Sequence, residues 1–557
     1  MDKNSKRIDK VYLVFIFLFS LIVLKITYLQ LFKQDFFKRL AHGQHYKIVR
    51  IEGKRGNIFD NKGRILATGM NFYSIFADPS SIKINEIIEP LAVNLSLSEK
   101  FLKSRLEKKK KFVWIKRRVS WEIKERIKSL QLKGVGFIRE EKRVYPQNHL
   151  AASVLGITDI DNKGLEGLEL YYNKYLRGKD GFVRVLQDSA ARQIILSSQI
   201  ITPQRGDDIL STIDAQIQYW TKTYLEETIK KFDAKQGSVV VMDASTGEIR
   251  ALANYPSFNP NNLDSKSFEN IKNKAICDMF EPGSVMKIIT LIAAISENKT
   301  FDNQKIFCGN GKLKIPGSIL HDWKPFGELT FREVFLNSSN IGIAKIVQAI
   351  TPKIYSTYIK KLGFGEITGV DLKGEVPGSL KSFSKWSKTS NYIIPIGQEI
   401  GVNLLQLARG FAVIVNGGYL VQPHLISKIC SQGVCETVPY KKKKVLSSLV
   451  ADKAKDILID VVFEGTGKRA GIEGRKIGGK TGTAQKYDPK IRKYSSSKYR
   501  ATFIGFIADL NSPLVIAVTI DEPLKSNFGG VVAAPVFRNI ADKVIKYIEG
   551  ERFLVSQ

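Results

Sequence analysis

A serine three residues ahead of a lysine can act as a nucleophile when both lie on one helix face and the lysine is neutral enough to take its proton. The segment Glu281-Pro-Gly-Ser-Val-Met-Lys287 offers such a pair. Pro282 and Gly283 interrupt the chain just before an apolar helical run at residues 288–295, which sets Ser284 at or near the first turn of a helix. Free backbone N–H groups and the positive end of the helix dipole favour an oxyanion there. Lys287 shares a face with Ser284, and partial desolvation would depress its pKa and let it take the serine proton. Ser338-Ser339-Asn340 follows a helical stretch at about residues 329–336. It offers a hydroxyl to relay a proton and an amide to bind a peptide. Lys480-Thr-Gly-Thr-Ala-Gln485 reads as a strand, with Thr481 and Thr483 on one face. Their hydroxyls and Lys480 could hold a carboxylate, and Gly482, lacking a side chain, lets a ligand approach the backbone.

Each segment alone is a weak signal in a chain with 86 Lys+Arg, and rival chemistries share the same residues. Residues 474–481 satisfy the phosphate-loop pattern G-x-x-x-x-G-K-[ST]. That loop needs an apolar strand before it and a helix after it; here Ala470-Gly-Ile-Glu precedes and Thr-Gly-Thr follows, a poor helix start. A Ser-His-Asp hydrolase would have to draw on five histidines, of which His321 beside Asp322 is the nearest pair. Adjacent residues rarely serve as triad partners, and no G-x-S-x-G elbow surrounds Ser284. Cys277, Cys308, Cys430 and Cys435 lack zinc-type spacing. Cys430 and Cys435 suit either a small disulfide loop in an extracytoplasmic domain or buried free thiols.

The elements that must position these residues follow from hydrophobic patterning. Residues 11–32 are apolar but for Lys25, long enough for a helix crossing about 30 Å of hydrocarbon. Lys3, Lys6, Arg7 and Lys10 in the short tail 1–10 predict a cytoplasmic N-terminus, and the absence of a small-x-small site predicts an uncleaved anchor. Length suggests roughly two to four domains. Residues 33–205 form a mixed module with a hairpin turning at Asn61-Lys-Gly63 and a helical stretch after residues 164–169, broken at 177–181. Residues 206–550 form a second domain: a helix at 215–231, strands at 237–243 and 248–253 joined by Ser245-Thr-Gly247, strands at 501–507 and 514–520, and a helix from about 536 to 548. That order predicts an α+β fold rather than a doubly wound one; residues 551–557 are a tail. The net charge of +32 fits an anionic partner or simply solvated lysine-rich faces. The runs at 108–111 and 441–444 lack interleaved aromatics, and no nucleic-acid motif accompanies them.

Ser-x-x-Lys, Ser-x-Asn and Lys-Thr-Gly in that order, about 50 and then 140 residues apart, resemble the signature of penicillin-binding proteins and serine β-lactamases. Glu281-Pro-Gly283, Gly465-Thr-Gly467 and Phe528-Gly-Gly530 are similar to their neighbouring patterns. Arg55-Gly56, Asp60, Gly63, residues 164–169 and Arg177-Gly178 resemble the non-catalytic module of the class B, monofunctional enzymes. Asp159-Ile-Asp161, with Lys25 ahead of Tyr28-Leu29-Gln30, looks most like the division-specific type, the elongation type being second. The resemblance implies a penicillin-binding/β-lactamase-like transpeptidase domain behind an elongated N-terminal module. It implies Ser284 as nucleophile, Lys287 as general base, Ser338 as proton relay and Asn340 on the substrate amide, and it implies no metal or organic cofactor. Lys480, Thr481 and Thr483 would hold the terminal carboxylate, with Gly482 between them. The implied partners are a stem pentapeptide ending in D-Ala-D-Ala, an acceptor stem peptide, β-lactams, a membrane glycosyltransferase and division proteins. Class A β-lactamases resemble Glu-x-x-Leu-Asn after the second motif; Glu333-Val-Phe-Leu-Asn337 has those letters but precedes Ser338. A non-catalytic scaffold or antibiotic sensor is the remaining alternative, though the three motifs are intact.

Overall fold

The computed structural model describes residues 3–36, 46–107, 112–187, 193–300, 304–488 and 493–555; the lysine run at 108–111 lies outside them. Lys3–Phe32 form one helix, and its stretch Arg7–Phe32 is the one among the described residues long and apolar enough to cross a bilayer. By packing, the chain divides into two units. The smaller comprises Met1–Lys54 and Gly178–Gly206. In it Gly181–Gln187 pairs antiparallel with Tyr46–Ile51 on one edge and Gln193–Ile201 on the other. The larger comprises Arg55–Arg177 and Asp207–Gln557.

At the centre of the larger unit stands a five-stranded antiparallel sheet. Its strands are β1 (Gln236–Asp243), β2 (Ile249–Tyr255), β3 (Ile477–Asp488), β4 (Lys493–Ile507) and β5 (Leu514–Asp521), in the order β2-β1-β5-β4-β3. Six helices flank it: α1 (Ala215–Phe232), α2 (Lys287–Ser296), α3 (Asn340–Ile350), α4 (Leu404–Val415), α5 (Ser448–Phe463) and α6 (Ala534–Val555). Side chains alternate across a strand, so Val239, Val241, Ile516 and Val518 join the core beneath α1 and α6. Val240, Met242, Val515 and Ala517 join the core that holds α2 to α5. Both faces of the sheet are covered, which is why β1 and β5 read as unbroken apolar runs. Every residue of α2 from Lys287 to Ile295 is buried, as its all-round apolar sequence requires. The predicted α+β architecture is the observed one.

A second sheet orders Val434–Thr437, Ile426–Ser431, Asp208–Ser211, Ile58–Phe59, Ile65–Ala77 and Val113–Val119, with Val135–Val144 also paired to Ile65–Ala77. Its first hairpin is the predicted one. The Asp60 carboxylate accepts from the backbone N–H of Lys62 and Arg64, at 2.9 and 2.8 Å, and closes the turn. Its other oxygen accepts from Arg64 Nε at 2.6 Å and from the Ala215 N–H at 3.3 Å. That ties the hairpin to the start of α1, which Asp214 caps. Residues 55–177 therefore pack in one unit with 207–557, while residues 178–206 belong to the other.

Arg55 and Glu169 lie in one buried cluster. Glu169 accepts from Arg55 Nε and Arg143 Nε, each at 2.6 Å, and Arg55 also donates to Asn173 Oδ1 and the Asn162 carbonyl, both at 2.9 Å. Burial pushes the Glu169 carboxyl up, but the two guanidinium groups outweigh it and hold its pKa below the ordinary value. Of the two readings left open for the cysteines, the disulfide is the observed one for Cys430–Cys435, across the hairpin of Ile426–Ser431 and Val434–Thr437. Cys277 and Cys308 are free thiols.

Candidate active site

Ser284 stands in a 3-10 turn, Gly283–Met286, that runs directly into α2. Gly283 takes φ +59° and donates its N–H to the Gly397 carbonyl at 3.2 Å. A Cβ on Gly397 would fall 2.1 Å from the Gly283 carbonyl oxygen, so the turn carrying Ser284 is braced by a position that only glycine fits. Glu281 steadies the other side, accepting from the Glu399 N–H at 2.9 Å and the Tyr494 hydroxyl at 3.0 Å. Burial raises its pKa.

Ser338 lies between the short helix Phe331–Leu336 and α3, with a left-handed φ of +54°. The Asp322 carboxylate fixes this corner. It accepts from Ser339 Oγ at 2.7 Å, from the Asn340 N–H, and from the Ile341 N–H at 3.2 Å. Asn340 Nδ2 donates to the His321 carbonyl at 2.8 Å. Ser339 itself caps α3.

The strand motif lies on β3, where Lys480, Thr481, Gly482 and Thr483 pair with Ile504, Phe503, Thr502 and Ala501 of β4. Gly482 has a structural reason beyond ligand approach. A Cβ there would fall 2.7 Å from the Pro282 carbonyl oxygen and 2.8 Å from Val285 Cγ2. The side chain it lacks is the space in which the Ser284 turn sits. Thr483 Oγ1 accepts from the Gly529 N–H at 3.0 Å, and Thr481 Oγ1 donates to Thr466 Oγ1 at 3.2 Å. These contacts give the flanking glycine-rich segments physical work: a Cβ on Gly529 would meet the Gly482 carbonyl at 2.3 Å.

The three segments converge on one hydroxyl. Ser338 Oγ lies 3.1 Å from Lys287 Nζ and 3.0 Å from Lys480 Nζ. Lys287 also donates to Asn340 Oδ1 and to the Ser338 carbonyl, both at 2.7 Å. Both lysines are fully buried. Burial pushes the Lys287 ammonium well below its ordinary pKa, the Lys480 charge pushes it further, and Asp322 partly offsets the two. Burial alone lowers Lys480 to about 7. A cavity of about 470 Å³ opens beside them, lined among others by Ser284, Ser338, Asn340, Thr481 and Thr483. All eight predicted residues thus fall on three segments meeting at one place.

Asp322 is one site residue that the sequence does not point to. Its adjacency to His321 suggested a triad pair, whereas its carboxylate organises the Ser338 corner. Trp323 was missed as well; it lines the cavity and donates its indole N–H to the Asn337 carbonyl at 2.8 Å. Neither carries a sequence signal beyond an Asp-Trp pair. The phosphate-loop reading fails because Lys480 lies inside a twelve-residue strand with no helix after it. Glu333 closes a capping box with Thr330, accepting its N–H at 2.8 Å and its hydroxyl at 2.9 Å. Among the described residues, no group of three His, Cys, Asp or Glu side chains is placed to hold a metal ion.

Residues 237–542, more than half the chain, match the family model described as the penicillin binding protein transpeptidase domain. The chain belongs to the penicillin-binding proteins. Residues 50–211 match the penicillin-binding protein dimerisation domain, which makes this a class B penicillin-binding protein, an enzyme of the D,D-transpeptidase type. Its sequence is 33% identical over 545 residues to the probable peptidoglycan D,D-transpeptidase PenA of Neisseria gonorrhoeae, covering 96% of this chain and 92% of that one. It is 31% identical over 555 residues to the peptidoglycan D,D-transpeptidase FtsI of Buchnera aphidicola, covering 96% and 93%. Penicillin binding protein 3 from Mycobacterium tuberculosis, solved in complex with aztreonam, superposes with a TM-score of 0.71 at 26% identity, covering 90% of this penicillin-binding protein and 97% of that chain.

Proposed function

We propose that this penicillin-binding protein cross-links peptidoglycan stem peptides through an acyl-enzyme on Ser284. The observation that carries the reading is the Ser338 hydroxyl held between two buried amines, with Ser284 on the wall of the same cavity. Neutral Lys287 takes the Ser284 proton, and Ser284 Oγ attacks the carbonyl of the penultimate D-Ala. The backbone N–H groups of Ser284 and Thr483 receive the oxyanion, a contribution of about 3–4 kcal/mol per donor in comparable sites. The C–N bond breaks as the proton passes through Ser338 to the departing D-Ala nitrogen. An acceptor amine then attacks the ester carbonyl and gives a proton to neutral Lys287. Lys287 passes it to Ser284 Oγ as the C–O bond breaks, so that Ser284 leaves as the hydroxyl and Lys287 is neutral again. Lys480, Thr481 and Thr483 hold the donor's terminal carboxylate, and Asn340 holds its amide. A β-lactam follows the same first step, but its opened ring stays tethered and blocks the acceptor amine. No carboxylate side chain lines the cavity among the described residues, so none there would activate a deacylating water.

The helix at residues 11–32 anchors the protein in the cytoplasmic membrane, with the tail 1–10 in the cytoplasm and the catalytic body outside. Residues 33–205 serve as the non-catalytic interaction module, 206–550 as the transpeptidase domain and 551–557 as a tail. The role assigned is septal synthesis in cell division, with a membrane glycosyltransferase and division proteins as partners. Intact mass of the soluble body after incubation with a penicillin tests the chemistry. A stable single adduct mapping to the Ser284 peptide, and lost in Ser284→Ala, is expected; folded protein with no adduct would return the scaffold reading. Depletion that rounds cells instead of producing filaments would sink the division role.

A further inference from the structure

Alongside the turn that carries Ser284 runs a second segment, antiparallel to it and joined to it at three places. Phe280 and Val402 exchange both backbone hydrogen bonds at 2.9 Å. The Glu399 N–H donates to the Glu281 carboxylate at 2.9 Å, and the Gly397 carbonyl accepts the Gly283 N–H at 3.2 Å. The last attachment suits its residue, since Gly397 has φ +85° and no room for a Cβ. The middle one does not. Glu399 has φ +54°, the left-handed region in which an L side chain crowds its own backbone and glycine does not.

A strained residue persists only where its surroundings hold it, and here the side chain is what is held. The Glu399 carboxylate accepts from Ser390 Oγ at 2.7 Å and faces Lys381 Nζ at 3.6 Å. The lysine pair is open to solvent and contributes little. Ser390 is buried, begins the short helix Ser390–Ile393, and shares two reciprocal hydrogen bonds with Ser387, at 3.0 and 3.1 Å. The same helix receives the N–H groups of Gly397 and Gln398 on its Ile394 and Ile393 carbonyls, at 2.9 and 3.1 Å. The Glu399 side chain therefore reaches back nine residues and closes the loop that presents both donors and acceptors to the Ser284 turn. Glycine at 399 would relieve the backbone, yet it would also leave the residue free to abandon the conformation that aims its N–H at Glu281.

We propose that Glu399 is a positioning residue for acylation: its carboxylate, anchored on Ser390, locks the left-handed backbone that holds Glu281, and through Glu281 the turn that aims Ser284. This rests on the transpeptidase reading above. Full-length wild type, Glu399→Gly and Glu399→Gln are compared by single-turnover acylation with benzylpenicillin. Intact mass across a range of drug concentrations separates the limiting rate from the half-saturating concentration. Glu399→Gly should lower the limiting rate about tenfold, a part of the 10²-fold that a displacement near 1 Å brings. Its half-saturating concentration and melting temperature should stay near wild type. Glu399→Gln still offers Ser390 an acceptor oxygen and loses only the solvent-exposed ion pair, so its limiting rate should stay within about twofold of wild type. A glycine variant as fast as wild type overturns the proposal, and so does a change confined to the half-saturating concentration. A glutamine variant as slow as the glycine one overturns it too, because the charge and not the anchor would then be what matters. Should the glycine variant not fold, Ser390→Ala removes the anchor from its other end; unchanged acylation there overturns the proposal. Wild-type protein that takes no benzylpenicillin overturns the enzyme reading itself, whereas equal rates in wild type and the glycine variant remove only the positioning role.

Discussion

Arg55 and Arg143 are buried around a carboxylate, whereas Lys287 and Lys480 are buried around a serine hydroxyl. Both clusters withdraw two cations from water within one compact unit. In the first, Glu169 repays the desolvation with direct ion pairs and charge-assisted hydrogen bonds, and the result is a fixed joint between residues 55, 143 and 169. In the second, no carboxylate touches either amine among the described contacts, so burial pushes both lysines toward neutrality. The same physical cost yields a structural clamp where an anion is supplied and a proton-transfer site where it is withheld. Arginine serves the first because it stays charged and offers a planar fork, and lysine serves the second because its pKa yields to burial.

The contrast can be broken most severely at Lys287. Lys287→Ala should slow penicillin acylation by about 10²–10⁴-fold, the usual contribution of a positioned general base, while the melting temperature stays near wild type or rises. Glu169→Ala should behave in the opposite way. Leaving two buried guanidinium groups without their anion costs about 3–5 kcal/mol of stability, visible as a lowered denaturant midpoint, while the acylation rate of the folded fraction holds. A loss of acylation without a loss of stability in Glu169→Ala would erase the distinction. Gly482→Ala should slow acylation by about 10²-fold, the scale for a displacement near 1 Å, because the new methyl enters the space of Pro282 and Val285.

The pH profile sharpens the comparison with a smaller effect. Acylation needs neutral Lys287, so the rate climbs as pH rises through that lowered pKa. Carboxylate binding needs charged Lys480, so the rate falls as this lysine loses its proton near pH 7. A bell with its alkaline limb close to neutrality is expected. Asp322→Asn removes the one charge that raises Lys287, so the acid limb should move to lower pH, read from single-turnover acylation rates. A shift to higher pH would show that Asp322 acts on something other than the Lys287 proton.

Much of the catalytic half was legible because its signals are local. The apolar run after Gly283 fixed α2, the alternation at residues 480–483 fixed a strand, and the Asn61-Lys-Gly63 turn fixed a hairpin. The less legible features depend on distant partners. Asp322 acts on Ser339 and Asn340 through a loop closure that no periodicity encodes. Gly482 looked like an opening for a ligand, since its neighbours Pro282 and Val285 are some 200 residues away in the sequence. The packing division is illegible for the same reason: Ile58–Phe59 pairs with Asp208–Ser211 across a long excursion of the chain.

The strand Asp208–Ser211 has Ile58–Phe59 on one side and Ile426–Ser431 on the other. A recombinant fragment beginning near residue 206 would lose the first neighbour and leave a bare row of N–H and C=O groups facing solvent. Such an exposed edge is a template for pairing with another molecule. Truncations meant to isolate catalysis should start upstream of Arg55, and a shorter fragment that clumps during purification would be reporting a severed sheet rather than an unstable catalytic domain.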